Sequence, residues 1–440
     1  MSQGASPADE VVVMEGLDAS EGLAALAEVI DTAAFLDRSA FLPASFQPAV
    51  PWLRHEPVSP LLRGPLPAPS RSPRRGERAM AVAFAPEHGD HAHRWAARHG
   101  HQLLAPPAEI TATAADKTAV LPLLAEAGVS VPEYVLVSAS GRLPADAYWP
   151  DHWDQAVLQR PENNLMGQGT VALRDRGQLS AALDRWAGRP LKVSRLVPGL
   201  SLTVTACAAA DRTVVSAVSH QLVGMPELTT GWGTHCGNQL VGPDDLSPGL
   251  YDQARSCTHA VGEVLRGRGF RGVFGLDLIV EGEKVHVIEI NPRFQTVVSL
   301  VHAAEAGAGL LPTLGLHILA CLLPALPATR RTSRPVPPLS QIVVHAPRTA
   351  RLDRVPAAGG YTDGPDGFTR ITTAPVLNDL PPHAVLLWPH IQPGTVYADD
   401  ELVLLQTRRR LCPLTDRPAL DAPCRSWPER LHTLFLGETA

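Results

Sequence analysis

Residues 273–293 constrain this chain more than any other stretch. Positions 273–280 and 285–291 are apolar runs around Glu281-Gly282-Glu283-Lys284, which reads as two strands joined by a tight turn. Side chains alternate faces along a strand, so Glu289 and Asn291 share one. With a three-residue loop at 282–284, Glu281 pairs with Val285 and Asp277 falls directly opposite Glu289. Opposed like charges destabilise a sheet, and a cation between them removes that cost. So few oxygen ligands suit Mg²⁺, which keeps several waters and takes further ligands from nucleotide phosphates. Asp277, Glu289 and Asn291 are therefore the candidate metal ligands. Arg293, just past the strand-ending Pro292, is a candidate cation for the same site.

At about 150 residues per domain, 440 residues make two or three domains, and 45% hydrophobic content can fill their cores. A net charge of −6 argues against nucleic acid or an anionic membrane as partner and for small molecules. Six cysteines without a CxxC fit neither a disulfide scaffold nor a zinc ribbon, so the cytoplasm is the expected compartment. The start MSQGASPADE is acidic where a secretory signal is basic. The most apolar stretch, 310–326, is too short for a span and contains Pro312, His317 and Pro324, so it reads as a buried helix. Of 38 basic residues only Lys117, Lys192 and Lys284 are lysine. Under a coding bias toward arginine, lysine persists where a compact ammonium is needed, as against a phosphate.

Pro- and Gly-rich seams divide the chain into 1–108, 109–326 and 327–440. The first part reads as a small α/β domain of Rossmann-like character, without the GxGxxG of a dinucleotide site. Its histidines, His88, His91, His93, His99 and His101, read as solvated surface. In the second part Asp116-Lys117 opens a helical run, and 157–158 and 170–173 flank a polar loop, 160–169, as a hairpin. Strands follow at 191–197, 202–208 and 214–218, then an amphipathic helix at 251–266. The last part begins with an Arg- and Pro-rich linker around 330–338 and continues as an added β-rich subdomain.

Gly275-Leu276-Asp277 followed by Val287-Ile288-Glu289-Ile290-Asn291-Pro292-Arg293 resembles the magnesium signature of the ATP-grasp superfamily. The resemblance runs in order over about 115–325, with a more general likeness to three-part ATP-grasp ligases across the chain. It implies a mixed α/β (α+β) fold: an N-terminal Rossmann-like domain, an ATP-grasp domain and a β-rich C-terminal extension. It also implies ATP and Mg²⁺ as cofactors, with Mn²⁺ as the alternative ion. Lys117 and Arg160 then match the phosphate-binding cations, and Asn163, Asn164, Gly167, Gln168 and Gly169 lie in the phosphate lid. Lys192, Ser194, Arg195, Leu196 and Val197 lie in the hinge that holds adenine and ribose. The chain departs from the pattern at Arg160, usually a lysine, in a lid with few glycines, and in a hinge without the common glutamate.

The chemistry implied is ATP-dependent activation of a small-molecule or amino-acid carboxylate as an acyl phosphate, with release of ADP, and its capture by an amine. Arg293 would stabilise the oxyanion of that attack. The glycine-rich stretch 231–238 and Gln295 are candidates for shaping the acceptor pocket, and His220 reads as a core histidine. Cys236 shows no partnered base. The alternatives are a catalytically silent nucleotide-binding regulator and another ATP-grasp enzyme such as a carboxylase. The sequence leaves a homodimer open.

Overall fold

Alternating apolar strands from the middle and the end of the chain join one ten-stranded antiparallel sheet, on which the other elements are arranged. The computed structural model describes residues 10–46, 50–59, 65–140, 143–162, 169–365 and 367–437. The sheet runs Lys284–Asn291, Gly272–Glu281, Leu200–Ala208, Thr213–Val223, His235–Val241, Ser340–His345, Glu401–Thr407, Val385–Pro389, Gly359–Gly364 and Gly367–Thr372. The C-terminal strands thus continue the central sheet, joined where Gly237 pairs with Ile342 and Asn238 with Gln341.

The stretch expected to be a linker is itself a strand, Thr329–Val336, antiparallel to Glu10–Leu17 over eight residue pairs. Its partner lies three hundred residues earlier, so local composition pointed to a loop. Pro335, with no N–H to donate, is tolerated because the ribbon has only two strands, both of them edges. Val12, Met14 and Leu17 of Glu10–Leu17 are buried, which fixes the ribbon to the core.

The N-terminal part holds a parallel sheet in the order Leu53–Glu56, Thr32–Leu36, Ala79–Ala83, Gln102–Leu104. The two middle strands are buried along their whole length, as parallel strands covered on both faces are. Strand order reverses between them. In open α/β sheets that switch point, at the carboxyl ends of the strands, is where ligands bind. A third sheet, Tyr134–Val137, Leu191–Arg195, Ala156–Gln159 and Thr170–Leu173, carries the helix Arg176–Arg185 on a core that includes Trp149, Trp153, Leu158, Leu179 and Val193.

The apolar stretch near residue 310 forms the helix Thr313–Leu322, entered at Pro312 and buried along most of its length. Among the described residues no helix is long and apolar enough to cross a membrane. The preceding helix, Val298–Gly307, carries the buried Glu305, which accepts from the Thr313 N–H at 2.7 Å and from the Ser216 and Thr313 hydroxyls at 2.6 Å each. Burial pushes this carboxyl up to about 7. The folded state therefore binds its proton more tightly than the unfolded chain. The associated stability is complete below pH 4.5 and is lost as pH rises through about 7, a loss of about 3 kcal/mol at most. Glu305→Gln is expected to flatten that fall when urea unfolding at pH 5 and pH 8 is compared; an unchanged slope would exclude Glu305 as its source.

Candidate active site

The hairpin 272–291 fixes the centre of the site, by a register that differs from the expected one in detail. The turn has two residues, Gly282 and Glu283, with Glu281 paired to Lys284, not Val285. Gly282 adopts φ +60°, which a tight hairpin turn needs and glycine supplies without strain. A bulge then inserts Ile288, so Leu278 faces Val287 while Asp277 faces Glu289 and Gly275 faces Asn291. The shorter turn and the extra residue cancel, and the two carboxylates are directly opposed.

Asp277 is nearly buried and accepts three hydrogen bonds. Thr203 Oγ1 at 2.9 Å and Gln295 Nε2 at 3.1 Å reach Oδ1, and Asn291 Nδ2 at 3.0 Å reaches Oδ2. Gly275 makes room for this: a Cβ there would lie 1.6 Å from Gln295 Oε1. That oxygen is buried and has no hydrogen-bond partner among the described residues. Opposite Asp277, the Glu289 carboxylate pairs with the Lys117 ammonium. Arg293 donates from Nη2 to Asn291 Oδ1 at 3.2 Å and from Nη1 to the Phe294 carbonyl at 3.0 Å. The expected ligands and both cations thus converge on one place.

Lys117 is held there by its backbone N–H, which donates to the Pro161 carbonyl at 3.0 Å beside Arg160. Burial, and after it the charge of Lys192, push Lys117 down to about 7; burial pushes Lys192 down to about 8. The charge of Lys192 is felt at Lys117, and an anion bound near the two amines would favour their charged forms.

Lys192 and Ser194 share one face of Leu191–Arg195, and both are buried. Arg195, expected with them, is turned to the opposite face by the period of two. There it makes a bidentate pair with Glu281, both bonds 2.7 Å, tying this strand to the hairpin tip. Leu196 and Val197 follow half-buried, the Leu196 N–H donating to the Gln155 carbonyl at 3.0 Å. Arg160 lies over the Trp186 ring, 5.9 Å from its centroid, and its N–H donates to the Gly169 carbonyl at 3.1 Å, closing the hairpin. Asn163, Asn164, Gly167 and Gln168 of the lid lie outside the described residues.

The stretch 231–238 is only partly a loop. His235–Val241 is a strand, with Asn238 buried on the Asp277 face and donating to Ser219 Oγ at 3.1 Å, while Trp232 stands exposed at the tip. His220 pairs with Leu202, and Leu202 with Leu278, which puts it on the face away from Asp277, where burial pushes it down to about 4. Burial pushes the Cys236 thiol up to about 11, the wrong direction for a nucleophile. Sequence reasoning missed Thr203 and Glu87. Glu87, from the loop after Ala79–Ala83, lies 2.9 Å from Arg293 Nε.

Residues 114–297 match the family model of the ATP-grasp domain. The chain carries an ATP-grasp domain. Its boundaries enclose Lys117, the strand Leu191–Arg195 and the whole 272–293 hairpin. A segment of 198 residues is 26% identical to the carbamoyl phosphate synthase large chain of Streptomyces coelicolor, covering 44% of this chain and 17% of that one. The Methanosarcina barkeri large chain is 29% identical over 154 residues, 34% of this chain and 36% of the relative. The chain thus aligns with only a minor share of the curated relatives it matches. Among solved structures, the ATP-grasp fold extends over most of the chain. N5-carboxyaminoimidazole synthase of Aspergillus clavatus, crystallised with ADP and aminoimidazole ribonucleotide, superposes with a TM-score of 0.56 over 87% of this chain and 94% of its own, at 13% identity. Biotin carboxylase of Campylobacter jejuni gives 0.56 over 95% of each chain at 11% identity. At such identities the likeness is one of fold.

Proposed function

We propose that the chain is an ATP-dependent, ADP-forming carboxylate–amine ligase acting on small molecules. The observation that carries this reading is Asp277 opposed to Glu289, with Asn291 beside them and the Lys117 ammonium balancing the pair. An all-oxygen set of two carboxylates and an amide fits Mg²⁺ or Mn²⁺, and Lys117 marks the place where positive charge is wanted. Bound there by Asp277, Glu289 and Asn291, the ion would supply charge neutralisation to the ATP phosphates.

The chain's own residues do the rest. Lys117, Lys192 and Arg160 bind phosphate oxygens, the Arg160 guanidinium as a planar fork in place of a mobile ammonium. The hinge at Ser194, Leu196 and Val197 seats the nucleoside, and Arg195 keeps the hinge in place through Glu281. The lid residues Asn163, Asn164, Gly167, Gln168 and Gly169 exclude water, since hydrolysis of the acyl phosphate is the obvious loss. A substrate carboxylate attacks the γ-phosphorus, giving ADP and an acyl phosphate; an amine then attacks the activated carbonyl, the C–O bond to phosphate breaks, and inorganic phosphate leaves as the nitrogen loses its proton. Arg293 stabilises the oxyanion formed in that step.

A second reading, in which bicarbonate is the acid, draws on the solved neighbours, which include a biotin carboxylase and a carboxylase domain crystallised with MgADP and bicarbonate. Purified protein with MgATP and a panel of amino acids and simple amines separates the readings. ADP and phosphate released only with an acid–amine pair support ligation, and release with bicarbonate supports the carboxylase. Release of AMP rules out both, and nucleotide binding without turnover leaves a regulatory protein.

A further inference from the structure

Arg293 is placed by the N-terminal part of the chain as well as by its own turn. The loop after Ala79–Ala83 leaves the parallel sheet beside its switch point and meets the turn 291–295. Phe294 donates its N–H to the Phe84 carbonyl at 3.2 Å, and the two rings stack with centroids 6.5 Å apart. Between these backbones the Glu87 carboxylate, its side chain 3% exposed, lies 2.9 Å from Arg293 Nε and 3.1 Å from His88 Nε2. Burying a carboxylate is costly unless it is paired, and the Arg293 guanidinium is one of the partners that offset that cost.

The fork of Arg293 is thereby held on three sides. Nε faces Glu87, Nη1 the Phe294 carbonyl and Nη2 the Asn291 amide oxygen. A guanidinium has five N–H donors, so among the described residues one on each Nη is left to reach a reacting oxygen. An arginine without such anchors samples many rotamers and loses that aim.

We infer that Glu87 is a positioning residue: it fixes the Arg293 guanidinium in the orientation that meets the oxyanion, and so makes the N-terminal domain part of the catalytic step. This rests on the ligase reading of Arg293. A mere staple between domains would act differently, lowering stability while leaving the chemical step alone.

The test measures ADP release with MgATP, the protein amino acids as acids and hydroxylamine as amine. Glu87→Gln keeps the shape and removes the charge. Its kcat is expected to fall by about 10- to 100-fold, since a displacement of about 1 Å can cost that much, with KM for ATP at the wild-type value and a melting temperature that drops, because a buried ion pair is broken, but stays above the assay temperature. Glu87→Asp, charged but shorter by one methylene, is expected to fall between. In an Arg293→Lys background, Glu87→Gln is expected to add little, because both changes act through one group. Equal losses in both backgrounds, or a lowered melting temperature with unchanged kcat, overturn the proposal. If Glu87→Gln does not fold, Glu87→Asp is read in both backgrounds by the same criteria. A wild type without turnover overturns the ligase reading and this inference together, whereas an active wild type with an equally active Glu87→Gln overturns only the inference.

Discussion

Glu289→Gln is expected to leave the protein folded and to lower ADP release by about 10³-fold or more, the kinetic equivalent of the several kcal/mol of charge stabilisation a metal supplies. The substitution is close to isosteric. Its side chain is about a quarter exposed, so it removes charge without opening a cavity. Lys117 then loses its partner, but burial already holds that ammonium down to about 7, and a neutral amine against an amide is tolerable. Asp277→Asn is a less clean probe, because three donors converge on that carboxylate and an amide NH₂ would face at least one of them. The decisive measurements are calorimetric titration with MgATP, ADP release and a melting curve. Wild-type turnover in Glu289→Gln would remove the metal assignment, and loss of turnover together with loss of folded structure would leave the variant uninformative, so the melting curve is measured first.

The centre of the site was legible because its information is local. Two apolar strands, a turn between them and the period of two suffice to oppose Asp277 and Glu289, and the two-residue turn and the bulge at Ile288 cancel in that pairing. The bulge itself left no trace, since one extra apolar residue in an apolar strand does not alter the pattern. Arg195 was misplaced although the same period turns it away from Lys192 and Ser194; the Glu281 that holds it is 86 residues distant. Glu87 lies 206 positions before Arg293, and what marked its loop was a parallel strand end beside a switch point, visible only once strand order is known. The strand Thr329–Val336 was hidden in the same way, its partner being the other end of the chain. Local chemistry was readable, and whatever depends on which distant segments pair was not.

The largest stability effect is expected at Gly237, where strands contributed by the middle and the end of the chain meet. Gly237 faces Ile342 and adopts φ +138°, and a Cβ there would lie 2.1 Å from the Gln341 carbonyl oxygen and 2.8 Å from the Ile342 Cα. Both atoms are backbone, so nothing flexible can yield. The Gly237→Ala change must either strain φ further or push the strands Ser340–His345 and His235–Val241 apart, at a combined cost of about 2–5 kcal/mol. The damage has a predicted location. Hydrogen exchange should accelerate across Ser340–His345 and Glu401–Thr407, while Gly272–Glu281, four strands from Ser340–His345, keeps its protection. Gly233→Ala is the control. It also has positive φ, +74°, but among the described residues nothing lies within 4 Å of its Cβ position, so only the conformational term of about 1 kcal/mol remains. If the two variants melt together, close backbone approach at 237 is not what joins the C-terminal strands to the central sheet; if Gly237→Ala alone melts early and exchanges in the outer strands, that approach is the joint.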